Sequence, residues 1–349
     1  MKVVIRVDAS IELGSGHVMR CLTLAEELQN LQYTVEFICR KSKGSMEQFI
    51  QSKGFKVHLL PEVKFSLWKW TRNNWKIDAQ DCRNYLMNKR VDLLIVDHYA
   101  IDIKWETVMR SITNKIMVID DLANRVHDCD ILLDHNAYKD KDNRYKNLIY
   151  SKSTYLLGPQ FALLRKEFFH KEKTLIKNRI LITFGGSDPT NETLKVLDII
   201  SNLPKKNKIR VVVGGSNPNK KEVYEYIKKY SNMTFLFNID NMAEEINKCR
   251  FVIGAGGVSA LERVALNTPA LVIGVASNQI EIAKNLDEQG AIKYIGFHNQ
   301  QYKDKLLKYT NELLCDKSQL INQMIESTKK IIGPENTTAK VAKVIKELI

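Results

Sequence analysis

Short apolar runs alternate with amphipathic stretches along the whole chain. Residues 3–7 form the first apolar run, and a glycine-containing loop and apolar residues at helical spacing follow it. Residues 91–96 form a nearly continuous apolar run, which is typical of a parallel strand that is covered on both faces. Strands that alternate with helices in this order predict an α/β protein with parallel sheets.

The same alternation restarts in the second half of the chain. Residues 179–184, 209–213, 234–237, 251–253, 269–273 and 291–294 each predict a strand, with helical patterns between them. The charged stretch 171–177 has no hydrophobic pattern, so we predict a domain boundary there. The pattern therefore predicts two Rossmann-like domains, residues 1–170 and 178–335, and a C-terminal helix over 336–349 that packs back on the first domain.

The loop after the first strand contains Gly14 and Gly16, and His17 follows where a helix is predicted to begin. The N–H groups at a helix start carry partial positive charge, which disfavours imidazolium. A histidine at this position therefore tends to stay neutral and able to accept a proton. The alternative is that His17 is only a first-turn residue beside a tight turn, and the loop by itself leaves both interpretations open.

Three later strands are followed directly by polar residues. The carboxyl ends of parallel strands meet at the edge of the sheet where open α/β folds bind ligands, so the three groups together predict a cleft. They are Asp97-His98-Tyr99, Asp120-Asp121 and Asp134-His135-Asn136.

A second glycine-rich loop follows the strand at 251–253. Glycines between a buried strand and a helix leave backbone N–H groups open to an anion. The loop lacks the Lys-Ser/Thr pair of a P-loop, which argues against magnesium-dependent triphosphate cleavage, and it lacks the full dinucleotide fingerprint. Glu262, one turn into the helix, could bond a ribose diol. The alternatives are a tight packing turn and a solvated glutamate.

Composition narrows the class of protein. The formal net charge is +13, but the lysines are spread along the chain without a basic arm or an RNA-binding motif. We therefore favour a lysine-rich solvated surface, with an anionic small molecule as the alternative partner, and we expect no nucleic-acid partner. No apolar run is long enough to span a bilayer, and residues 1–2 lead straight into a strand. The six scattered cysteines fit reduced thiols, so we expect a cytoplasmic protein.

Six motifs that are spread along the chain form a specific set. They are Arg6-Val7-Asp8-Ala9-Ser10, Gly14-Ser15-Gly16-His17-Val18-Met19-Arg20-Cys21, Asp97-His98-Tyr99, Ile119-Asp120-Asp121-Leu122-Ala123, Leu157-Gly158-Pro159 and Phe184-Gly185-Gly186-Ser187-Asp188-Pro189. Together they resemble one family, the UDP-2,4-diacetamido-2,4,6-trideoxy-β-L-altropyranose hydrolases of pseudaminic acid biosynthesis, which are related to spore-coat polysaccharide proteins. The similarity covers nearly the whole chain.

The resemblance implies a GT-B-type α/β fold, with two Rossmann-like domains whose parallel sheets face each other across a cleft. It implies that His17 is the general base and that Glu262 contacts the ribose. The implied substrate-binding residues are Asp8, Gly16, Arg20, Tyr99, Asn278 and Gln279. The implied diphosphate-binding loop is Gly254, Ala255, Gly256, Gly257, Val258 and Ser259. This loop is richer in glycine than the family's usual version, which backbone N–H binding would tolerate.

The expected reaction is inverting hydrolysis of a UDP-activated diacetamido-trideoxy hexose at the anomeric C–O bond. UDP is a stable anion and needs no proton to depart, so a base that activates water is sufficient and the acid carboxyl of glycosidases can be absent. We expect a monomer that needs neither metal nor cofactor. The alternatives are a GT-B glycosyltransferase that uses a UDP-sugar donor, and a non-catalytic nucleotide-sugar-binding protein. A transferase with lipid-linked acceptors should expose an apolar patch, for which the tryptophan-rich residues 68–75 are the candidate. They belong to residues 65–77, which have no clear period and predict either a loop or short helix over a cleft or a packed surface insertion; we favour packing.

Overall fold

The computed structural model describes residues 1–10, 12–169 and 179–349. These residues form two compact units, one built from Met1–Arg165 together with Asn336–Ile349, and the other from Lys166–Glu335. The charged stretch 171–177, at which the sequence predicts a boundary, lies outside the described residues.

Unit 1 is a parallel sheet with helices on both faces. Its strands are β1 (Lys2–Val7), β2 (Thr34–Arg40), β3 (Lys56–Leu60), β4 (Leu93–Asp97), β5 (Lys115–Ile119), β6 (Ile131–Asp134) and β7 (Thr154–Leu157). Its first helices are α1 (Gly16–Asn30), α2 (Glu47–Ser52), α3 (Leu67–Asn73), α4 (Trp75–Leu86) and α5 (Ile103–Met109). The described strands lie in the order β3-β2-β1-β4-β5-β6-β7, which puts the ends of β1, β4 and β5 side by side.

Unit 2 repeats this architecture. Its strands are β8 (Arg179–Thr183), β9 (Lys208–Val213), β10 (Met233–Phe237), β11 (Phe251–Ala255), β12 (Ala270–Gly274) and β13 (Lys293–Phe297), in the described order β10-β9-β8-β11-β12-β13. Its helices are α6 (Glu192–Ile200), α7 (Lys220–Ile227), α8 (Met242–Asn247), α9 (Val258–Ala265), α10 (Asn278–Glu288), α11 (Lys303–Leu314) and α12 (Gln319–Ile331). The strand pairs of both sheets are parallel.

Alternate residues of each central strand enter cores on opposite faces of the sheet. In β1, Val3 and Ile5 pack in the cluster that contains α1, whereas Val4 packs in the cluster that contains α4 and α5. Burial on both faces explains why the predicted strands were visible as apolar runs, because neither face of such a strand can be polar.

The final helix, α13 (Thr337–Leu348), packs on α1 in unit 1. Val341 and Ile345 are fully buried in the same core as α1. The Thr338 hydroxyl accepts a hydrogen bond from Leu164 N at 2.9 Å and lies 2.8 Å from Leu164 O. These contacts fix α13 against the helix that carries His17.

Two stretches differ from the sequence pattern. Residues 65–77, which have no clear period, form α3 and the start of α4, and the Trp70 ring lies 4.4 Å below the Arg40 guanidinium. The strand predicted over 291–294 is β13, which begins two residues later, at Lys293; Ala291 and Ile292 lie ahead of it and are fully buried.

Candidate active site

The loop between β1 and α1 places His17 in the first helical turn. Gly14 N donates to Ser10 O at 2.8 Å, and Leu13 N donates to the Ser10 hydroxyl at 3.0 Å. Gly14 has a φ of 74°, a left-handed conformation that glycine adopts without a steric penalty. This tight turn leads directly into α1, which begins at Gly16. The His17 side chain is 10% exposed.

His17 is paired with Asp97 at the end of β4. Its Nδ1 lies 2.6 Å from Asp97 Oδ1. Asp97 is completely buried; burial opposes its charge, but Arg20 and His17 together lower its pKa well below the usual range. An ionised carboxylate can only accept, so Nδ1 carries the proton. The basic atom of the neutral ring is therefore Nε2, which makes no hydrogen bond with any part of the chain that the structure describes.

Arg20 lies one turn after His17 and binds two carboxylates, those of Asp97 and Asp121. Its Nε and Nη2 each lie 2.6 Å from a different oxygen of Asp97, and its Nη1 donates to Asp121 Oδ2 at 3.1 Å. Burial opposes the charge of Arg20, but Asp97 and Asp121 raise its pKa further above the usual value. One guanidinium between two carboxylates leaves an excess negative charge, which favours positive charge developing on His17 during proton transfer.

Tyr99 completes the shell around His17. Its ring meets the imidazole edge to face, with centroids 4.4 Å apart at 83°. Burial, the charge of Asp121 and a hydrogen bond to that carboxylate raise the pKa of Tyr99. The phenol therefore stays neutral and restricts rotation of the imidazole.

His135 and Asp134 lie beside this cluster at the end of β6. His135 is 1% exposed, and neither ring nitrogen has a hydrogen-bond partner among the described residues. Burial lowers its pKa to about 4, with a further contribution from Arg20. Burial raises the pKa of Asp134 to about 7, and the negative charge of Asp121 acts in the same direction.

Asp8 lies below the surface of the site. It is 1% exposed and accepts from Arg6 Nη1 at 2.6 Å and from Arg40 N at 2.7 Å. His98 Nε2 is 3.2 Å from its other oxygen. Burial opposes the charge, but Arg6 and His98 lower the pKa of Asp8. Its contacts therefore belong to a buried ion-pair network that also includes Asp78.

The glycine loop of unit 2 joins β11 to α9. Gly254 packs so closely that a Cβ there would lie 2.3 Å from Thr183 O. Gly257 has φ 70° and ψ −154°, a conformation that is essentially restricted to glycine. Gly257, the N-cap residue of α9, makes no side-chain cap, and the first N–H groups of the helix carry the partial positive charge of a helix start.

Gln279, on α10, lies against this loop. A Cβ on Gly256 would be 3.0 Å from Gln279 Cβ, and Gln279 Oε1 accepts from Val275 N at 3.1 Å. Asn278 is exposed at the first position of α10, and Glu262 is half-buried on α9. The Ser259 hydroxyl donates to Gly256 O at 3.1 Å. The loop and Gln279 are thus brought together within unit 2.

Sequence reasoning placed the polar groups that contain Asp97, Asp121 and His135 at the predicted cleft but assigned none of the three a role. Asp97 ends β4, and Asp121 and His135 follow β5 and β6, so the polar ends of these strands are the signal that could have found them. In the described part of the chain, no group of three or more His, Cys, Asp or Glu side chains could hold a metal ion. No described helix is both long enough and apolar enough to cross a membrane.

A protein of Campylobacter jejuni named UDP-2,4-diacetamido-2,4,6-trideoxy-beta-L-altropyranose hydrolase is 30% identical to this chain over 293 residues, which cover 83% of this chain and 97% of the relative. The chain belongs to this hydrolase family. The resemblance seen in the sequence motifs is therefore confirmed.

Two further similarities concern the second half of the chain and most of its length. The chain matches the model of the glycosyltransferase family 28 C-terminal domain over residues 180–347. It is also 30% identical over 286 residues to the uncharacterized protein MJ1062 of Methanocaldococcus jannaschii, covering 78% of this chain but only 55% of that relative.

The crystal structure of Acinetobacter baumannii MurG aligns with the hydrolase chain with a TM-score of 0.67 at 13% identity, covering 99% of each chain. At that identity the likeness concerns the fold alone. The predicted α/β fold of GT-B type, with two Rossmann-like parallel-sheet domains, is confirmed.

Proposed function

We propose that the protein hydrolyses a UDP-activated diacetamido-trideoxy hexose at the anomeric C–O bond and releases UDP and the free sugar for pseudaminic-acid-type biosynthesis. The observation that carries the proposal is the pairing of His17 Nδ1 with a buried, ionised Asp97, which leaves Nε2 as the basic atom. The name of the Campylobacter relative supports the same substrate and reaction.

His17 acts as the general base. Its Nε2 takes a proton from water while the water oxygen forms a bond to the anomeric carbon and the bond to the UDP oxygen breaks. UDP leaves as an anion, so no acid is required on the leaving-group side. Base assistance of this kind is worth about 10²–10⁴ in rate. The anomeric configuration inverts because water attacks the face opposite UDP.

Unit 1 supplies the base, and unit 2 binds the nucleotide. The start of α9 meets the diphosphate through the backbone N–H groups of its loop, and Glu262 bonds the ribose. In unit 1, Gly16 and Tyr99 are the proposed sugar-binding residues. In unit 2, Asn278 and Gln279 are the proposed substrate-binding residues. Arg20 and Asp8 are buried and act on this site through their ion pairs, Arg20 with Asp97 and Asp8 with Arg6. Fixed backbone dipoles need no metal ion, so turnover should persist in EDTA.

Turnover in ¹⁸O-labelled water tests the bond that breaks. We expect the label in the free sugar and unlabelled UDP, since water attacks carbon. Label in UDP would mean attack at phosphorus and would contradict the mechanism. Under the same conditions His17→Ala should lose turnover by at least about 10²-fold while it still binds UDP.

A GT-B glycosyltransferase with a UDP-sugar donor is the second candidate, because residues 180–347 match the glycosyltransferase family 28 C-terminal domain. In that enzyme an acceptor hydroxyl would replace water. NMR of UDP-sugars with the enzyme separates the two, since a hydrolase releases free sugar at full rate without an acceptor. Consumption of donor only after an acceptor is added would favour the transferase.

We further propose that the enzyme works as a cytoplasmic monomer on this small molecule, without a nucleic-acid partner. The spread of its lysines and the fully buried thiols of Cys21, Cys39 and Cys82 support this. Light scattering after size-exclusion chromatography should give a mass near the 40.2 kDa of one chain. A mass of twice that value would contradict the monomer.

A further inference from the structure

Arg263 is a buried cation behind the glycine loop of unit 2. It lies on α9 and is 0% exposed. Its Nη2 donates to Ala255 O, whereas Nε and Nη1 have no hydrogen-bond partner in the described residues. Nη1 would be 3.1 Å from a Cβ on Gly254, so the guanidinium lies directly against the root of the loop.

This cation is poorly compensated by the protein. Burial lowers the pKa of Arg263 to about 10, with Glu262 as the opposing attraction, so the side chain stays protonated at neutral pH. A buried charge without full hydrogen bonding is costly, and a methionine or leucine of similar size would avoid that cost. Glu262 offsets this charge only in part, so the guanidinium adds a positive field at the root of the loop.

The bond to Ala255 O also orients the loop. In a planar trans peptide the carbonyl and the following N–H point in opposite directions. Because Arg263 holds the Ala255 carbonyl on its own side, the Gly256 N–H points away from Arg263. The loop therefore presents this donor on the side opposite the cation.

We propose that Arg263 is a positioning residue of the anion-binding loop, and that its charge makes this loop select ligands by the charge of their phosphate groups. The inference rests on the proposed function, in which the loop binds the diphosphate of UDP. Arg263 does not touch the ligand; it acts through the orientation of the loop and through its field. The consequence is a residue that distinguishes UDP from uridine without contributing to recognition of the nucleoside.

Calorimetric titration with UDP, UMP and uridine tests the proposal on the intact chain. Arg263→Gln keeps a donor for Ala255 O but removes the charge. We expect UDP affinity to fall by about tenfold or more and uridine affinity to change by less than about twofold, with UMP between them. Arg263→Lys, which restores the charge, should recover most of the UDP affinity. Equal losses for the three ligands, or no loss for UDP, would overturn the proposal.

Arg250→Gln is the matched control. Arg250 precedes β11, and its side chain donates to Leu313 O and Cys315 O at the other end of the strand. Five strand residues separate it from the loop by about 16 Å, so the same loss of charge should leave UDP affinity unchanged.

If Arg263→Gln does not fold, Arg263→Lys decides: a UDP-to-uridine affinity ratio within about threefold of wild type supports the proposal, and a larger fall overturns it. A wild-type chain that binds no UDP would instead overturn the proposed function together with this inference.

Discussion

Asp97 Oδ1 accepts a hydrogen bond from His17 Nδ1 at 2.6 Å, across 80 residues of sequence. This one contact determines which nitrogen of the imidazole is basic, because an ionised carboxylate can only accept. Arg20 keeps that carboxylate ionised and fixed. The proton-accepting property of His17 is therefore a property of the three residues together.

Asp97→Asn should abolish most of the turnover. The amide can donate to Nδ1, so the ring proton moves to Nε2 and the base can no longer accept a proton from water. We expect turnover, measured as UDP release, to fall by about 10²–10⁴ while UDP affinity stays unchanged. Asp130→Asn removes a carboxylate paired with Arg110 and Lys115, at the start of β6, and should keep its turnover. Full activity of Asp97→Asn would refute the role of the pair.

Gly16→Ala tests whether substrate lies against the start of α1. A Cβ at Gly16 meets no atom within 4 Å, so the thermal stability should be kept or improved, while turnover falls by about tenfold or more because the methyl group enters the space of the sugar. Gly14→Ala is the contrasting variant. Its φ of 74° makes the substitution strained, so stability should fall by about 1–2 kcal/mol. Unchanged kinetics of Gly16→Ala would remove Gly16 from the substrate site.

The neighbours Asp134 and His135 should have opposite effects on the pH dependence of stability. The pKa of Asp134 is raised from 3.8 to about 7, so the folded state holds more protons between these values and Asp134 lowers stability as pH rises through them. The pKa of His135 is lowered from 6.5 to about 4, so the unfolded state holds more protons and stability rises with pH in that window. In the wild type the two slopes oppose each other between pH 4 and 6.5.

Urea unfolding from about pH 4.5 to about pH 7.5 should reveal each slope separately. For His135→Gln, the free energy of unfolding should fall, relative to wild type, as pH rises, because Asp134 is no longer offset. For Asp134→Asn it should rise instead. A tenfold difference in proton affinity between the folded and unfolded states corresponds to about 1.4 kcal/mol, so both slopes are large enough to measure. Profiles that run parallel to wild type in both variants would contradict the assignment.

Asn336→Ala should weaken unit 1 by about 1 kcal/mol. Asn336 caps α13, because its Oδ1 accepts from Thr338 N at 3.0 Å and from Ala339 N at 3.1 Å. Its Nδ2 also donates to Glu27 on α1 at 3.0 Å. Asn219 occupies the same position before α7 but makes no capping bond, so Asn219→Ala should change the free energy of unfolding by less than about 0.5 kcal/mol. Equal effects of the two substitutions would show that the Asn336 cap does not stabilise unit 1.

The regular elements were predictable where burial acts on both faces. The apolar run over 91–96 contains most of β4, which is covered on each side, so neither face could be polar. Residues 65–77 carry no such constraint: Trp70 is covered by the distant Arg40, a contact that leaves no local period in the sequence.

The candidate site was predictable only in part. His17 follows a glycine loop, which is a local signal, and the family motif assigned its role. Its partner Asp97 lies next to His17 only because β4 pairs with β1 in the sheet. The spacing of residues along the sequence does not show this strand pairing. Arg263 has no sequence signal, because it looks like an ordinary basic residue on a helix until its complete burial is known.

The return of α13 to unit 1 has a consequence for how the protein is made. Val341, Ala342 and Ile345 complete a core whose other buried members precede residue 165, so the whole of unit 2 is translated before that core can close. At ordinary rates of synthesis this delay is roughly 10–30 s. During this delay the apolar face of α1 that α13 covers stays exposed on the ribosome and is accessible to chaperones. Unit 2 is contiguous in the chain and can fold first.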